Sequence, residues 1–253
     1  MKMIKKHDFK FLVVKSERDV AKEAAKLLCE NIKKKPNLVL GLATGETMKP
    51  FYKELVKHYK KHHFDFSKVK TFNLDEYYPI NNNSKNSFKH FMEKNLFQYV
   101  NIKKKNINFL SGENKNYKKQ CAEYENKIKS SGGIDIQILG IGVNGHIGFN
   151  EPGSSFKSIT RRVKLSDKTR KINSKYFPSL NLVPKHALTI GIKTIMSSKK
   201  IILLAVGDKK SYAIRKSLSK KISNKFPASI LRKHKDVEFI IDYKVAKDIK
   251  LAV

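Results

Sequence analysis

The chain has no tryptophan, only two cysteines, and 22 acidic residues against 54 basic ones. Each shortage excludes something. Cys29 and Cys121 are isolated in helix-like segments, so neither a disulfide framework nor a zinc site is indicated, and a reducing, cytoplasmic location is the expectation. No apolar run approaches the roughly 18 residues that span a bilayer. The basic start Met1–Lys6 leads only into Phe9–Val14, too brief for a secretory signal. Arginine is scarce too: 48 of the 54 basic residues are lysine, leaving Arg18, Arg161, Arg162, Arg170, Arg215 and Arg232. A net charge of +32 raises nucleic-acid binding as a function. Against it, arginine is the residue suited to bidentate phosphate and base contacts, and the lysines are spread along the whole chain, with Lys33–Lys35 and Lys103–Lys105 the densest runs. The excess reads as a solvated lysine surface. Neither nucleic acid nor membrane is an expected partner.

What is present is enough for a large core: 253 residues, 40% of them hydrophobic. Short apolar runs at Phe9–Val14, Asn37–Leu42, Lys68–Leu74, Ile134–Ile141, His186–Gly191, Lys200–Val206 and Val237–Ile241 read as strands. Several are apolar throughout, as in strands covered on both faces. Helical stretches alternate with them at Ser16–Lys35, from about Met48, and at Ser87–Val100, Asn116–Ser130, Lys209–Leu218 and Pro227–Lys233. This pattern predicts an α/β fold: an open, mostly parallel sheet with helices on both faces, a Rossmann-like three-layer sandwich. No internal repeat or linker divides the chain, so residues 1–253 are expected to form a single domain.

In open parallel sheets ligands sit beyond the carboxyl ends of the strands, and there the polar residues gather. Gly41-Leu-Ala-Thr44-Gly45-Glu46-Thr47 is a strand, a small-residue turn and a helix start. Backbone N–H groups there, with the Thr44 and Thr47 hydroxyls, suit a phosphate, although a plain helix cap accounts for the same pattern. Glu46 fits a phosphate site only if its side chain turns away. Asn73-Leu-Asp75-Glu76-Tyr77 places two acids just past a strand; Asp75 is the candidate base for a proton next to a carbonyl, with a helix N-cap and a surface acid as the alternative. Residues 140–153, Gly-Ile-Gly-Val-Asn-Gly-His-Ile-Gly-Phe-Asn-Glu-Pro-Gly, break a strand into glycines and deliver Asn144, His146 and Glu151 within eight residues. An imidazole both donates and accepts protons near neutrality. Glu151 can hold its tautomer and Asn144 can add a neutral hydrogen bond. The other histidines, His7, His58, His62, His63, His90, His186 and His234, lack acidic company. Lys175 and Lys210 are candidate phosphate ligands.

These segments together resemble the glucosamine-6-phosphate deaminase (isomerising) family, the glucosamine/galactosamine-6-phosphate isomerases. Residues 41–47, 71–77 and 139–153 carry the resemblance, supported by Val183-Pro-Lys185, Ala187-Leu-Thr-Ile-Gly191 and Pro227-Ala-Ser-Ile-Leu231. It implies conversion of glucosamine 6-phosphate and water to fructose 6-phosphate and ammonia, without a metal or organic cofactor. It implies Asp75 as the base working between C2 and C1, and His146 as the ring-opening acid/base, oriented by Glu151 and Asn144. Thr44, Gly45, Glu46, Thr47, Lys175 and Lys210 would hold the substrate, and Phe177 would belong to a mobile lid at about 161–184. Where family members commonly carry arginine, Lys175 keeps the charge and loses the bidentate fork. Arg161 matches a position of the activator site found in hexameric relatives, whereas Val163 stands where a lysine would help. The chain also ends at Val253, short of those relatives' extension. Weak or absent activation by N-acetylglucosamine 6-phosphate is therefore expected, in a monomer or homo-oligomer. A 6-phosphogluconolactonase-like hydrolase and a non-catalytic binding protein remain the alternatives.

Overall fold

The structure is a computed structural model that describes residues 1–6, 9–219 and 221–249; His7 and Val253 lie outside the described residues. In chain order the strands are β1 (Lys2–Lys6), β2 (Phe9–Val14), β3 (Val39–Leu42), β4 (Lys70–Asn73), β5 (Asp75–Tyr78), β6 (Ile107–Asn108), β7 (Ile136–Leu139), β8 (Arg161–Lys164), β9 (His186–Thr189), β10 (Lys200–Ala205) and β11 (Val237–Asp242). The α-helices are α1 (Glu17–Lys34), α2 (Met48–His62), α3 (Phe88–Asn95), α4 (Tyr117–Ser130), α5 (Asp167–Asn173), α6 (Ile192–Met196), α7 (Ser211–Ser217) and α8 (Tyr243–Asp248).

Eight strands form one sheet in the order β1-β2-β11-β10-β7-β3-β4-β6. All neighbours are parallel except β1 with β2. Every residue of β3, β7 and β11 is buried, which is why these strands are mostly apolar on both sides, with Gln137, Glu238 and Asp242 the buried polar exceptions. Phe11 and Phe239 stack within that core at 4.9 Å. The edge strand β1 reads Lys-Met-Ile-Lys-Lys, a charged edge that discourages further strand pairing. Helix α1 begins where Ser16 accepts the Asp19 N–H, and it buries Val20, Ala24, Leu28 and Ile32, one face at four-residue spacing. Both thiols are buried, which pushes Cys29 up to about 12 and Cys121 up to about 11.

Chain order fixes where a ligand fits. From β3 the chain moves outward to β4 and β6, then returns to the other side of β3 as β7 and continues to β10 and β11. The reversal lies between β3 and β7, and a crevice opens there beyond the strand ends.

Three expectations need correction or refinement. The strand at 186–191 is not in the main sheet: β9 pairs antiparallel with β5 and β8 in a separate three-stranded sheet. Asp75-Glu76-Tyr77, expected only to lie just past the 68–74 strand, itself forms strand β5 of that second sheet. The chain changes sheets at Leu74, whose N–H bonds Leu42 O at 2.8 Å in the first sheet while its carbonyl accepts Ile190 N–H at 2.8 Å beside the second. A strand of buried acids has no apolar alternation, so its sequence carries no strand signal. Pro227–Lys233 is a 3-10 helix rather than an α-helix, with proline in its first turn.

Candidate active site

The crevice between β3 and β7 contains a cavity of about 340 Å³, lined in part by Thr44, Gly45, Glu46, Thr47, Asp75, His146, Lys175 and Lys210. Residues from distant parts of the sequence thus meet, and four strand ends feed one space. The first wall is the turn after β3. Gly45 takes φ +112°, a backbone state that disfavours side chains. Thr47 precedes α2 without a side-chain cap; the first helical N–H groups bond within the turn, Met48 to Gly45 O at 3.0 Å and Lys49 to Glu46 O at 3.2 Å, and Pro50 has none, so it is the Thr44–Thr47 turn itself that lines the cavity. Lys210 follows β10; its Nζ donates to Ile141 O at 2.6 Å, and burial holds its pKa down. Glu46 is turned to other partners. It accepts from Lys49 Nζ at 3.0 and 3.2 Å and from the Tyr176 hydroxyl, with Lys175 Nζ at 4.0 Å. The Tyr176 hydrogen bond holds its carboxyl below the usual range, despite partial burial. Its charge is met by cations and does not stand bare beside the turn.

Asp75 forms the floor. It is 7% exposed, and burial, reinforced by the neighbouring Glu76, pushes its carboxyl up to about 8. Glu76 points elsewhere: it accepts the N–H groups of Tyr77, Phe88 and Lys89, all at 2.9 Å, and so closes the start of α3. Burial still pushes it up to about 7. Two adjacent acids therefore have different work. Glu76 is tied to backbone; Asp75 faces the cavity.

The third wall is the loop after β7. Gly142 N–H donates to His146 O and Gly145 N–H to Gly142 O, both at 2.9 Å, a tight turn. A Cβ on Gly142 would lie 2.3 Å from the imidazole, and Gly145 combines φ +80° with Phe226 at 2.4 Å from any Cβ. The glycines are there because the ring and a neighbouring phenyl occupy the space. His146 Nδ1 lies 2.7 Å from Asn144 Oδ1, and Asn144 Nδ2 donates to Glu151 Oε2 at 2.9 Å. Glu151 does not hold the ring directly; Nδ1 to Oε2 is 3.8 Å, and Asn144 stands between them. An ionised carboxylate only accepts, so the Asn144 amide must face it and the Asn144 oxygen must face the ring. Nδ1 therefore carries the proton, and Nε2 keeps its lone pair. Burial lowers the His146 pKa, opposed by Glu151 and helped by Lys210, so the ring is neutral at pH 7. Asn150 anchors the loop: it donates to Ile147 O and Ile190 O and accepts from Arg161, each at 2.9 Å.

The roof comes from the segment after β8. Thr169, Ile172, Asn173, Lys175 and Tyr176 line the cavity. Phe177 does not; it packs edge-on against Tyr77 at 5.3 Å and pins the segment to the second sheet's small core. Phe177 thus lies in the segment where it was expected, while its neighbour Tyr176 lines the cavity. Sequence reasoning also missed Thr169, which donates to Glu151, because a threonine in a seven-residue polar helix has no distinguishing pattern. Among the described residues, no group of three or more His, Cys, Asp or Glu side chains is arranged to hold a metal ion.

A family model described as glucosamine-6-phosphate isomerases/6-phosphogluconolactonase matches residues 15–240. The chain belongs to this family. It is 52% identical over 238 residues to a glucosamine-6-phosphate deaminase of Clostridium acetobutylicum, covering 94% of this chain and 99% of that one. A glucosamine-6-phosphate deaminase of Clostridium botulinum (strain Kyoto / Type A2) is 50% identical over 242 residues, covering 96% and 99%. Among solved structures, a monomeric glucosamine-6-phosphate deaminase superposes with a TM-score of 0.91 at 43% identity, covering 94% of this chain and 98% of that one. A 6-phosphogluconolactonase from Thermotoga maritima shares the fold, with a TM-score of 0.74 at 20% identity over 92% and 99%. No helix among the described residues is long and apolar enough to cross a membrane.

Proposed function

We propose that the chain is an enzyme converting glucosamine 6-phosphate and water to fructose 6-phosphate and ammonia, a step in amino-sugar breakdown in the cytoplasm. The observation that carries this reading is the pairing, in one cavity, of a buried carboxyl (Asp75) with a neutral imidazole whose Nε2 is free. Residues 1–253 act as one unit, with 161–184 as the lid. The phosphate docks on the Thr44–Thr47 turn, whose amides and hydroxyls donate to its oxygens, and Lys175 and Lys210 supply positive charge. Glu46 holds Lys175 and Tyr176 rather than the sugar.

Chemistry begins at the ring. His146 Nε2 takes the proton of the C1 hydroxyl as the bond from C1 to the ring oxygen breaks, then protonates that oxygen. Asp75 next removes the C2 proton; the electron pair forms the C1–C2 double bond and pushes charge onto O1, which takes a proton from the substrate's own C2 ammonium to give the enolamine. The same carboxyl returns a proton to C1, giving an imine at C2 that water hydrolyses to the ketone, releasing ammonia. A carboxyl of raised pKa suits this work, because it is a stronger base than a solvated aspartate and holds the proton it must give back. Asn144 and Glu151 keep His146 in the required tautomer.

An ammonia assay on wild type beside Asp75→Asn and His146→Gln tests the reading. Each variant is expected to lose at least about 100-fold in rate; full rate in both overturns the roles of these two side chains. 6-Phosphogluconolactone is the control substrate, expected to turn over no faster than in buffer. Val163 packs against the small core of the second sheet, which supports weak activation by N-acetylglucosamine 6-phosphate. Velocity curves should be hyperbolic with and without that compound.

A further inference from the structure

The lid helix α5 touches the imidazole relay from behind. Glu151 accepts on both carboxylate oxygens: Oε2 takes the Asn144 amide at 2.9 Å, and Oε1 takes the Thr169 hydroxyl, with Ser166 Oγ farther off at 3.4 Å. Thr169 is 5% exposed and the Glu151 side chain 14%, so water is a poor substitute for either donor. Ser166 is already engaged at the start of α5, where it accepts Thr169 N–H at 3.1 Å and lies 3.0 Å from the Thr169 hydroxyl. Thr169 is therefore the principal donor to the outer oxygen.

Each link in this chain constrains the next. If Glu151 rotates away or gains a proton, it no longer compels the Asn144 amide to face it. The Asn144 oxygen is then released from the imidazole, and Nδ1–H loses its acceptor. The proton distributes between the two ring nitrogens, and Nε2 is no longer reliably the base. The hydroxyl that prevents this sits on the lid, whereas Asn144, His146 and Glu151 belong to the loop after β7.

We propose that Thr169 is a positioning residue for the reaction: its hydroxyl holds the Glu151 carboxylate as the anchor of the Asn144–His146 relay, so that lid closure and the arming of His146 are one event. The inference rests on His146 acting at the sugar ring. Open-lid enzyme keeps a histidine of mixed tautomer; closed-lid enzyme presents Nε2 ready to accept a proton. Substrate that fails to draw the lid down is bound and not opened, which confines the chemistry to a covered cavity.

Thr169→Val removes the hydroxyl and keeps the branched shape, while Thr169→Ser keeps the hydroxyl. The valine variant is expected to lose about tenfold in kcat with KM for glucosamine 6-phosphate changed less than about twofold, the size of one lost hydrogen bond. Serine is expected to restore kcat. Nitrogen-15 NMR of histidine-labelled protein, with the His146 signals assigned by their absence in His146→Gln, should show a protonated Nδ1 in wild type and a tautomer mixture in Thr169→Val. If valine does not fold, judged by its melting curve, Thr169→Ala takes its place with the same expected split. Unchanged kcat and ring signals in the valine variant, a loss confined to KM, or serine behaving as valine would each overturn the proposal. Failure of the underlying reading looks different: wild type releases no ammonia, or His146→Gln keeps the wild-type rate.

Discussion

The floor and the lid of the cavity are held by different forces. The floor hangs from buried strands: Leu42, Ile138, Leu139 and Ile190 around it are fully shielded, and Asn150 spends all three of its polar contacts inside the protein. The segment proposed as the lid, residues 161–184, has only short helical turns after β8 and leaves Ile172, Leu180 and Leu182 exposed at 49%, 37% and 59%. It is tied down by few contacts. Tyr176 reaches Glu46, Thr169 reaches Glu151, Phe177 sits on Tyr77, and Arg170 gathers the carbonyls of Leu180 and Val183 at 3.1 Å. On the proposed reading, the floor carries groups that must not move, and the lid carries groups that arrive with the substrate.

Asp75→Asn should break this contrast most sharply. It removes the base, costing at least about 100-fold in rate, yet it should stabilise the fold. Burial lifts the Asp75 carboxyl from its ordinary 3.8 to about 8. Between those values the folded chain keeps a proton that the unfolded chain has released, so the Asp75 contribution to stability falls as pH rises from 3.8 to about 8. Asparagine abolishes that slope. Its melting temperature should match wild type near pH 4 and exceed it increasingly up to about pH 8, by about 2–4 °C for each kcal/mol recovered.

Asn150→Ala comes next. It should remove three side-chain hydrogen bonds at 2.9 Å, leaving Ile147 O, Ile190 O and Arg161 only their longer contacts of 3.2, 3.3 and 3.4 Å, costing roughly 1–3 kcal/mol in denaturant melts, with kcat falling because the His146 loop loosens. Tyr176→Phe should do the reverse. It should leave denaturant melts unchanged, raise KM about two- to fivefold, and make the segment around residues 165–184 easier to cut with protease. A lid variant that costs as much stability as Asn150→Ala would erase the distinction.

Much of the floor was legible in the sequence, because glycines at strand ends followed by an imidazole, with a carboxylate five residues later, seldom serve packing alone. Apolar strands covered on both faces announce themselves, and Phe9–Val14 and Lys200–Ala205 lie where their composition puts them. Strand β5 was not legible: its buried acids reverse the hydrophobic pattern, and its partners lie more than eighty residues away. Nor was the role of Asn144 as the sole bridge between His146 and Glu151, since that depends on a distance of 3.8 Å that spacing does not reveal. That Tyr176, rather than its neighbour Phe177, lines the cavity was not legible either. Tyr176 and Phe177 are neighbours of similar size, and only the turn at Ser174–Tyr176 decides which faces the cavity.

The central claim is that one buried carboxyl, Asp75, carries the proton from C2 to C1. Glucosamine 6-phosphate deuterated at C2, turned over in ordinary water, tests it directly by mass spectrometry of the product. A water-excluded base should leave a measurable share of the deuterium on C1 of fructose 6-phosphate, and Asp75→Asn should give no labelled product. Complete loss of the label to solvent, or equal turnover by the asparagine variant, would contradict the account.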